Sequence, residues 1–148
     1  SFTGNHPESS DALAPSLAQL ERMYCRESNL TQLNLSAVPM LTELACGYNQ
    51  LATLDLSLVP ELTALGCYKN QLTTLDLALV PKLSMLACFQ NQLTSLDLSR
   101  VPELTVLNCW SNQLTILDLS LVPKLTKLHC DESVQVLNAP EGLEIEYW

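Results

Sequence analysis

The chain has 148 residues, of which 47% are hydrophobic and only 5% aromatic, so a single domain's core has to be built from aliphatic side chains. Its formal charge is −9 and its seven Lys and Arg residues are scattered, so no basic stripe exists to neutralise phosphates. That speaks against nucleic acid and anionic membrane surfaces as partners, while electrostatic steering favours a basic or neutral one. No apolar run approaches the ~18 residues of a membrane span.

In chain order, the first expected element is a cap. The start, Ser1-Phe2-Thr3-Gly4, has neither an initiator Met nor the charged and apolar blocks of a signal peptide, and reads as a processed or artificial end. Asp11 can cap a short helix over residues 12 to about 23, with Pro15 tolerated in its first turn. Residues 1–19 are assigned to this tail and helical cap, residues 20–133 to a solenoid and residues 134–148 to a C-terminal cap.

The solenoid rests on an internal repeat. Cysteines fall at 25, 46, 67, 88, 109 and 130, always 21 residues apart, and Leu20, Leu41, Leu62, Leu83, Leu104 and Leu125 keep the same step. One unit reads Leu41-Thr42-Glu43-Leu44-Ala45-Cys46-Gly47-Tyr48-Asn49, and Leu51, Leu54, Leu56 and Val59-Pro60 complete the coil. Leu44 and Cys46 alternate in direction with Glu43 and Ala45, as a strand requires. One unit cannot bury its Leu/Leu/Cys face alone, but units stacked at ~4.8 Å build a continuous core. Asn49, Asn70, Asn91 and Asn112 stand at the bend, where an amide can serve backbone groups of adjacent coils, and Ser28 and Ser133 replace them in the terminal units.

The repeat resembles the short-repeat bacterial leucine-rich-repeat proteins with units of the type LTxLDLSxVPxLTxLxCxxNQ, over residues 20 to about 133. The resemblance implies an α/β, leucine-rich-repeat fold of about six coils: a curved solenoid with a parallel sheet on its inner face. It also implies a binding role without naming a ligand, in a free-standing protein or in the recognition arm of a larger one. After Ser133 the repeat register fails. Leu143, Ile145 and Tyr147 then alternate with Glu144 and Glu146, which predicts an edge strand guarded by outward charge.

Positions that agree in every coil are expected to serve the coil. Each Cys replaces an inward Leu and no C-x-x-C pair occurs, so six buried free thiols are expected rather than a metal or redox centre. Such a column points to a reducing, cytoplasmic setting, with a secreted effector as the alternative. The sequons at Asn29 and Asn34 matter only in that second case. Asp55, Asp76, Asp97 and Asp118 form a column that is read as accepting bonds within its own turns. Calcium binding is the alternative, and Asn34 in the first coil favours the turn reading. Glu61, Lys82, Glu103 and Lys124 alternate in sign and are expected to pair between coils. Leu58, Leu79 and Leu121, interrupted by Arg100, are expected to be buried under the Val-Pro bend, with an outer apolar strip or dimer surface as the alternative.

Positions that differ between coils are the candidates for function. Tyr68, Phe89 and Trp110 share one column with Tyr48 diagonally adjacent, and Ala64, Met85 and Val106 share another. Small residues (Ala45, Gly66, Ala87) run between the two. The expected product is an apolar trough on the concave face with a charged rim, Arg22 and Arg26 at one end and Lys127 and His129 at the other. A column of aromatics also stabilises a sheet by stacking on itself.

Neighbours on a strand face opposite sides, so His129 and Cys130 cannot form a nucleophile–base pair, and no other catalytic set is apparent. The resulting expectation is a non-enzymatic protein–protein interaction module with no cofactor and no metal. It would bind a peptide or protein segment on its concave face, with a monomer as the default state. The alternatives are the sensing arm of a larger bacterial effector or immune protein, a carbohydrate-binding protein, and a consensus-built scaffold without a natural partner.

Overall fold

Three-residue strands recur wherever the Leu-x-Cys motif recurs. A computed structural model of the chain describes residues 17–148. In it the strands are β1 (Arg22–Tyr24), β2 (Glu43–Ala45), β3 (Ala64–Gly66), β4 (Met85–Ala87), β5 (Val106–Asn108), β6 (Ile116–Asp118), β7 (Lys127–Cys130), β8 (Gln135–Leu137) and β9 (Glu144–Tyr147). Seven of them form one parallel sheet in the order β1-β2-β3-β4-β5-β7-β9, and β6 pairs with β8 separately. The register follows the repeat, Glu43 opposite Ala64 and Leu44 opposite Leu65, so each column of the sequence becomes a column of the sheet.

Within a coil the middle strand residue and the Cys point inward, and five of the six Cys are buried. The far side of the coil is turned by a tight bend in which Val59 N donates to Leu56 O at 3.2 Å, with the same bond repeated from Val80, Val101 and Val122. Leu, Val and Cys stack column upon column from Leu35 to Val134 as one core. Full burial of a Leu or Val side chain contributes ~1.5–3 kcal/mol, so this repetition holds together a molecule whose coils touch only their neighbours.

Two polar columns tie coils together. Asn70 Nδ2 donates to Cys46 O and Cys67 O, both at 3.0 Å, while its Oδ1 accepts from Leu51 N at 3.0 Å. Asn49, Asn91 and Asn112 do the same work one coil away. On the strand side, each Thr or Ser hydroxyl donates to the equivalent carbonyl of the preceding coil, Thr63 Oγ1 to Thr42 O at 3.1 Å for example. The residue before each Asn lies in the left-handed region, with φ between 51° and 56° at Tyr48, Lys69, Gln90 and Ser111. None of these is glycine, so each bend holds a conformation that costs of order ~1 kcal/mol or more, and the Asn bonds keep it in place.

Several expectations need correcting. No helix is an element among the described residues, so the helical cap and the α part of the fold class are not supported. Residues 22 and 23, assigned to the end of that helix, belong to strand β1, because this segment and Cys25 N pair with the next coil instead. Only Leu17 and Ala18 are helical among the described residues, and they run into a turn closed by Leu20 N donating to Leu17 O at 3.1 Å. Asp11 and Pro15 lie outside the described residues. Leu58, Leu79 and Leu121 are 40–55% exposed rather than buried, because the tight turn that draws Leu56 and Val59 inward pushes the residue between them out. Strand β9 is the sheet edge as expected and Ile145 packs on the core, but Tyr147 is 55% exposed.

Candidate functional site

The face of the seven-stranded sheet turned away from the core carries the side chains that vary. Across β2–β5 it forms a groove of about 300 Å³, lined by Glu43, Ala45, Ala64, Gly66, Met85, Ala87, Val106 and Asn108 over a floor of Leu44, Leu65 and Leu86. The small residues at alternate strand positions leave this space, and Met85, 50% exposed, is its largest apolar side chain. A second hollow of about 180 Å³ adjoins it, lined by Val106, Leu107, Asn108, Lys127, Leu128, His129, Glu144 and Glu146. Val106 and Asn108 line both.

The aromatic column is a stacked ladder beside this groove and not part of its lining. Tyr68 and Phe89 are 4.6 Å apart and within 3° of parallel, Phe89 and Trp110 4.9 Å apart and within 8°. Trp148 continues the ladder at 4.3 Å from Trp110. At the other end Tyr48 meets Tyr68 edge-on at 5.7 Å, with Lys69 Nζ 4.4 Å from the Tyr48 ring centre. Gly47 makes room for this end, since a Cβ there would stand 2.5 Å from the Tyr68 ring. Both faces of Phe89 and of Trp110 are therefore covered by other rings.

The charged rim is also largely engaged. Arg26 Nη1 donates to the Tyr68 hydroxyl at 2.8 Å, and Arg22 Nε lies 3.5 Å from Glu43 Oε2. Asp131 Oδ1 accepts from Ser111 N at 2.9 Å, in place of the backbone carbonyl that serves the equivalent residue of earlier coils. Of the anticipated site residues, the groove thus gathers Ala64, Met85 and Val106, and the second hollow gathers Lys127 and His129. Tyr48, Tyr68, Phe89, Trp110 and Arg26 form the adjacent ladder.

Four contributors were not anticipated: Asn108, Glu144, Glu146 and Trp148. β9 joins the sheet in register with β7, Lys127 opposite Glu144 and His129 opposite Glu146, which places both carboxylates on the groove face. The step from Lys127 to Glu144 is 17 residues, not 21, so the repeat period could not reveal it. The alternation of Glu144 and Glu146 with Ile145 was the available signal. Asn108 Oδ1 is buried and accepts no hydrogen bond among the described residues; such an acceptor ordinarily costs ~1–3 kcal/mol.

The fixed columns offer no reactive group. Burial pushes the Cys46 thiol up to about 12, and those of Cys67 and Cys88 well above the ordinary thiol value. These thiols stay protonated and unreactive. His129 stands on the groove face, 5.7 Å from the Trp110 ring, while Cys130 is buried on the opposite face. Each Asp of the outer column accepts from its own turn, for example Ser57 N to Asp55 Oδ1 at 3.0 Å and Ala78 N to Asp76 Oδ1 at 2.9 Å. Asn34 receives the same bond from Ser36 N at 3.0 Å. Lys82 pairs with Glu61 and Lys124 with Glu103, as their alternation in sign suggested.

No protein-family model and no curated protein sequence matches the chain. Solved structures do. The functional domain of InlJ from Listeria monocytogenes, which includes a cysteine ladder, is 31% identical with a TM-score of 0.75, over 88% of this chain and 32% of that one. A leucine-rich-repeat protein of Leptospira interrogans is 23% identical with a TM-score of 0.70, over 80% of this chain and 35% of that one. An internalin of Listeria monocytogenes is 19% identical with a TM-score of 0.74, over 90% of this chain and 45% of that one; the last two likenesses are of fold. The chain spans about a third of the length of the first two and under half of the third. A bacterial source fits these neighbours. With a unit of 21 residues, a parallel sheet in repeat register and a column of buried cysteines, the chain is a leucine-rich-repeat solenoid.

Proposed function

We propose that the protein is a non-catalytic interaction module that holds a peptide or protein segment on the concave face of its sheet. Solenoids of this kind generally present such surfaces to protein partners. The observation that carries the reading is the groove across β2–β5: a row of apolar side chains of unequal size, Ala64, Met85 and Val106, on a sheet whose inward Leu and Cys columns are constant. A rigid sheet lowers the ordering cost of binding, and the stacked ladder stiffens its border.

In this reading the centre of the site is Met85 and its neighbours, because the aromatic rings lie outside the groove lining. Rings that cover one another's faces do not offer the open platform on which a sugar stacks, so the carbohydrate reading loses the feature that motivated it. A second reading, a recognition arm of a larger protein, is favoured by neighbours two to three times the length of this chain. A reducing compartment fits the six free thiols.

The test is capture of partners from source-cell extract by the wild-type chain and by Met85→Asp, which puts a charge in the groove without touching the ladder. A protein held by the first and released by the second is the expected result. Equal retention of every captured protein by both would defeat the reading.

A further inference from the structure

The two hollows make one trench, because Val106 and Asn108 line both. Its two parts differ in chemistry. The part over β2–β5 is apolar, with Ala64, Met85, Ala87 and Val106. The part over β7 and β9 carries two carboxylates, Glu144 and Glu146, which make no hydrogen bond or ion pair among the described residues. The cations at the opposite end of the sheet are engaged: Arg22 with Glu43, Arg26 with the Tyr68 hydroxyl, and Lys69 with the Tyr48 ring. Lys127 alone stands among the acidic groups, one ammonium against two carboxylates, on a chain whose formal charge is −9. Asn108, where the hollows meet, keeps an amide oxygen without a donor.

From this charge pattern we infer that the occupant is an extended segment with an aliphatic side chain at one point and a lysine or arginine about four residues away. The inference rests on the concave-face reading and names its partner class. The spacing follows from the sheet: β4, which carries Met85, is three strand steps from β9, or ~14 Å at ~4.8 Å per step. An extended chain crossing the strands covers that distance in about four residues at ~3.3 Å each. The aliphatic group then lies over Met85 and Ala87, and the cation lies between Glu144 and Glu146, in the hollow that Asn108 and His129 also line. An acidic segment in the same position meets like charge with no free cation but Lys127, which selects against it.

The experiment pans a random dodecapeptide library on the whole chain and measures the selected peptides against three variants. Met85→Asp tests the groove, Glu144→Gln/Glu146→Gln tests the acidic end, and Lys127→Gln removes the competing ammonium. All four residues are exposed, and circular dichroism establishes that each variant keeps the fold. The expected peptides pair a Leu, Ile, Val or Met with a Lys or Arg about four positions away. Their affinity disappears with Met85→Asp, falls about five- to tenfold with Glu144→Gln/Glu146→Gln, and rises with Lys127→Gln. Peptides that need Met85 but show no basic residue, or ignore the double Gln variant, overturn this inference and leave the concave-face reading standing. Failure to select any peptide, or selected peptides indifferent to Met85→Asp, overturns both.

Discussion

Two polar columns run the length of the solenoid, and their difference separates what joins coils from what merely shapes them. Asn49, Asn70, Asn91 and Asn112 reach across coils, with bonds to residues 19 and 24 positions away. Asp55, Asp76 and Asp97 bond two residues ahead, within their own turn, and Asp118 does so as well while also accepting from Asn138 Nδ2 in the C-terminal cap. Both columns are nearly invariant, so invariance alone does not distinguish a strut from a local turn device. Substitutions do. Asn34 replaces Asp in the first coil with the same bond, while Ser replaces Asn only in the first and last units of the repeat.

The sharpest way to break the comparison is Asn70→Ala. It strands two carbonyls and one backbone N–H inside the core, and a loss of about 3–5 kcal/mol in urea unfolding is expected. A loss below about 1 kcal/mol would mean that water replaces the amide and that the column is not a strut.

A third column, the aromatic ladder, sits between the two cases because its residues differ and yet do one job. Phe89→Ala removes two stacked pairs and is expected to cost about 2 kcal/mol. If stability is instead unchanged, the stacking contributes nothing and the rings stand there for a ligand.

The smallest effect expected is in the Asp column, and it is read from pH. Hydrogen bonds from Ser57, Ser99 and Asn138 hold the carboxyls of Asp55, Asp97 and Asp118 below their ordinary value. A carboxyl whose folded value is depressed contributes stability above its unfolded value, ~3.9, and loses it as pH falls through the folded value. The wild-type urea midpoint should therefore drop below about pH 4. In Asp55→Asn/Asp97→Asn/Asp118→Asn, which keeps each acceptor as Asn34 does, the drop should be shallower with little change at pH 7. Parallel acid profiles for the two proteins would show that these bonds carry no linkage.

What was legible in the sequence was whatever the period of 21 repeats. The inward Leu and Cys columns, the Asn bends, the Asp turns and the paired Glu and Lys follow from it, because an in-register parallel sheet turns sequence columns directly into spatial ones. The small-residue space beside Ala64, Met85 and Val106 was readable on the same ground.

Tertiary structure decided what the period does not encode. Whether Tyr68, Phe89 and Trp110 splay apart or stack on one another depends on rotamers, and the rings stand in near-parallel stacks under 5 Å apart. Whether Leu58 lies in or out depends on a turn that admits only Leu56 and Val59 to the core. The acidic end of the trench exists because β9 skips four residues and still pairs with β7, a register set by where Ile145 finds apolar contact. Repetition carries its own geometry along the chain; where it stops, packing chooses the register, and the sequence by itself does not.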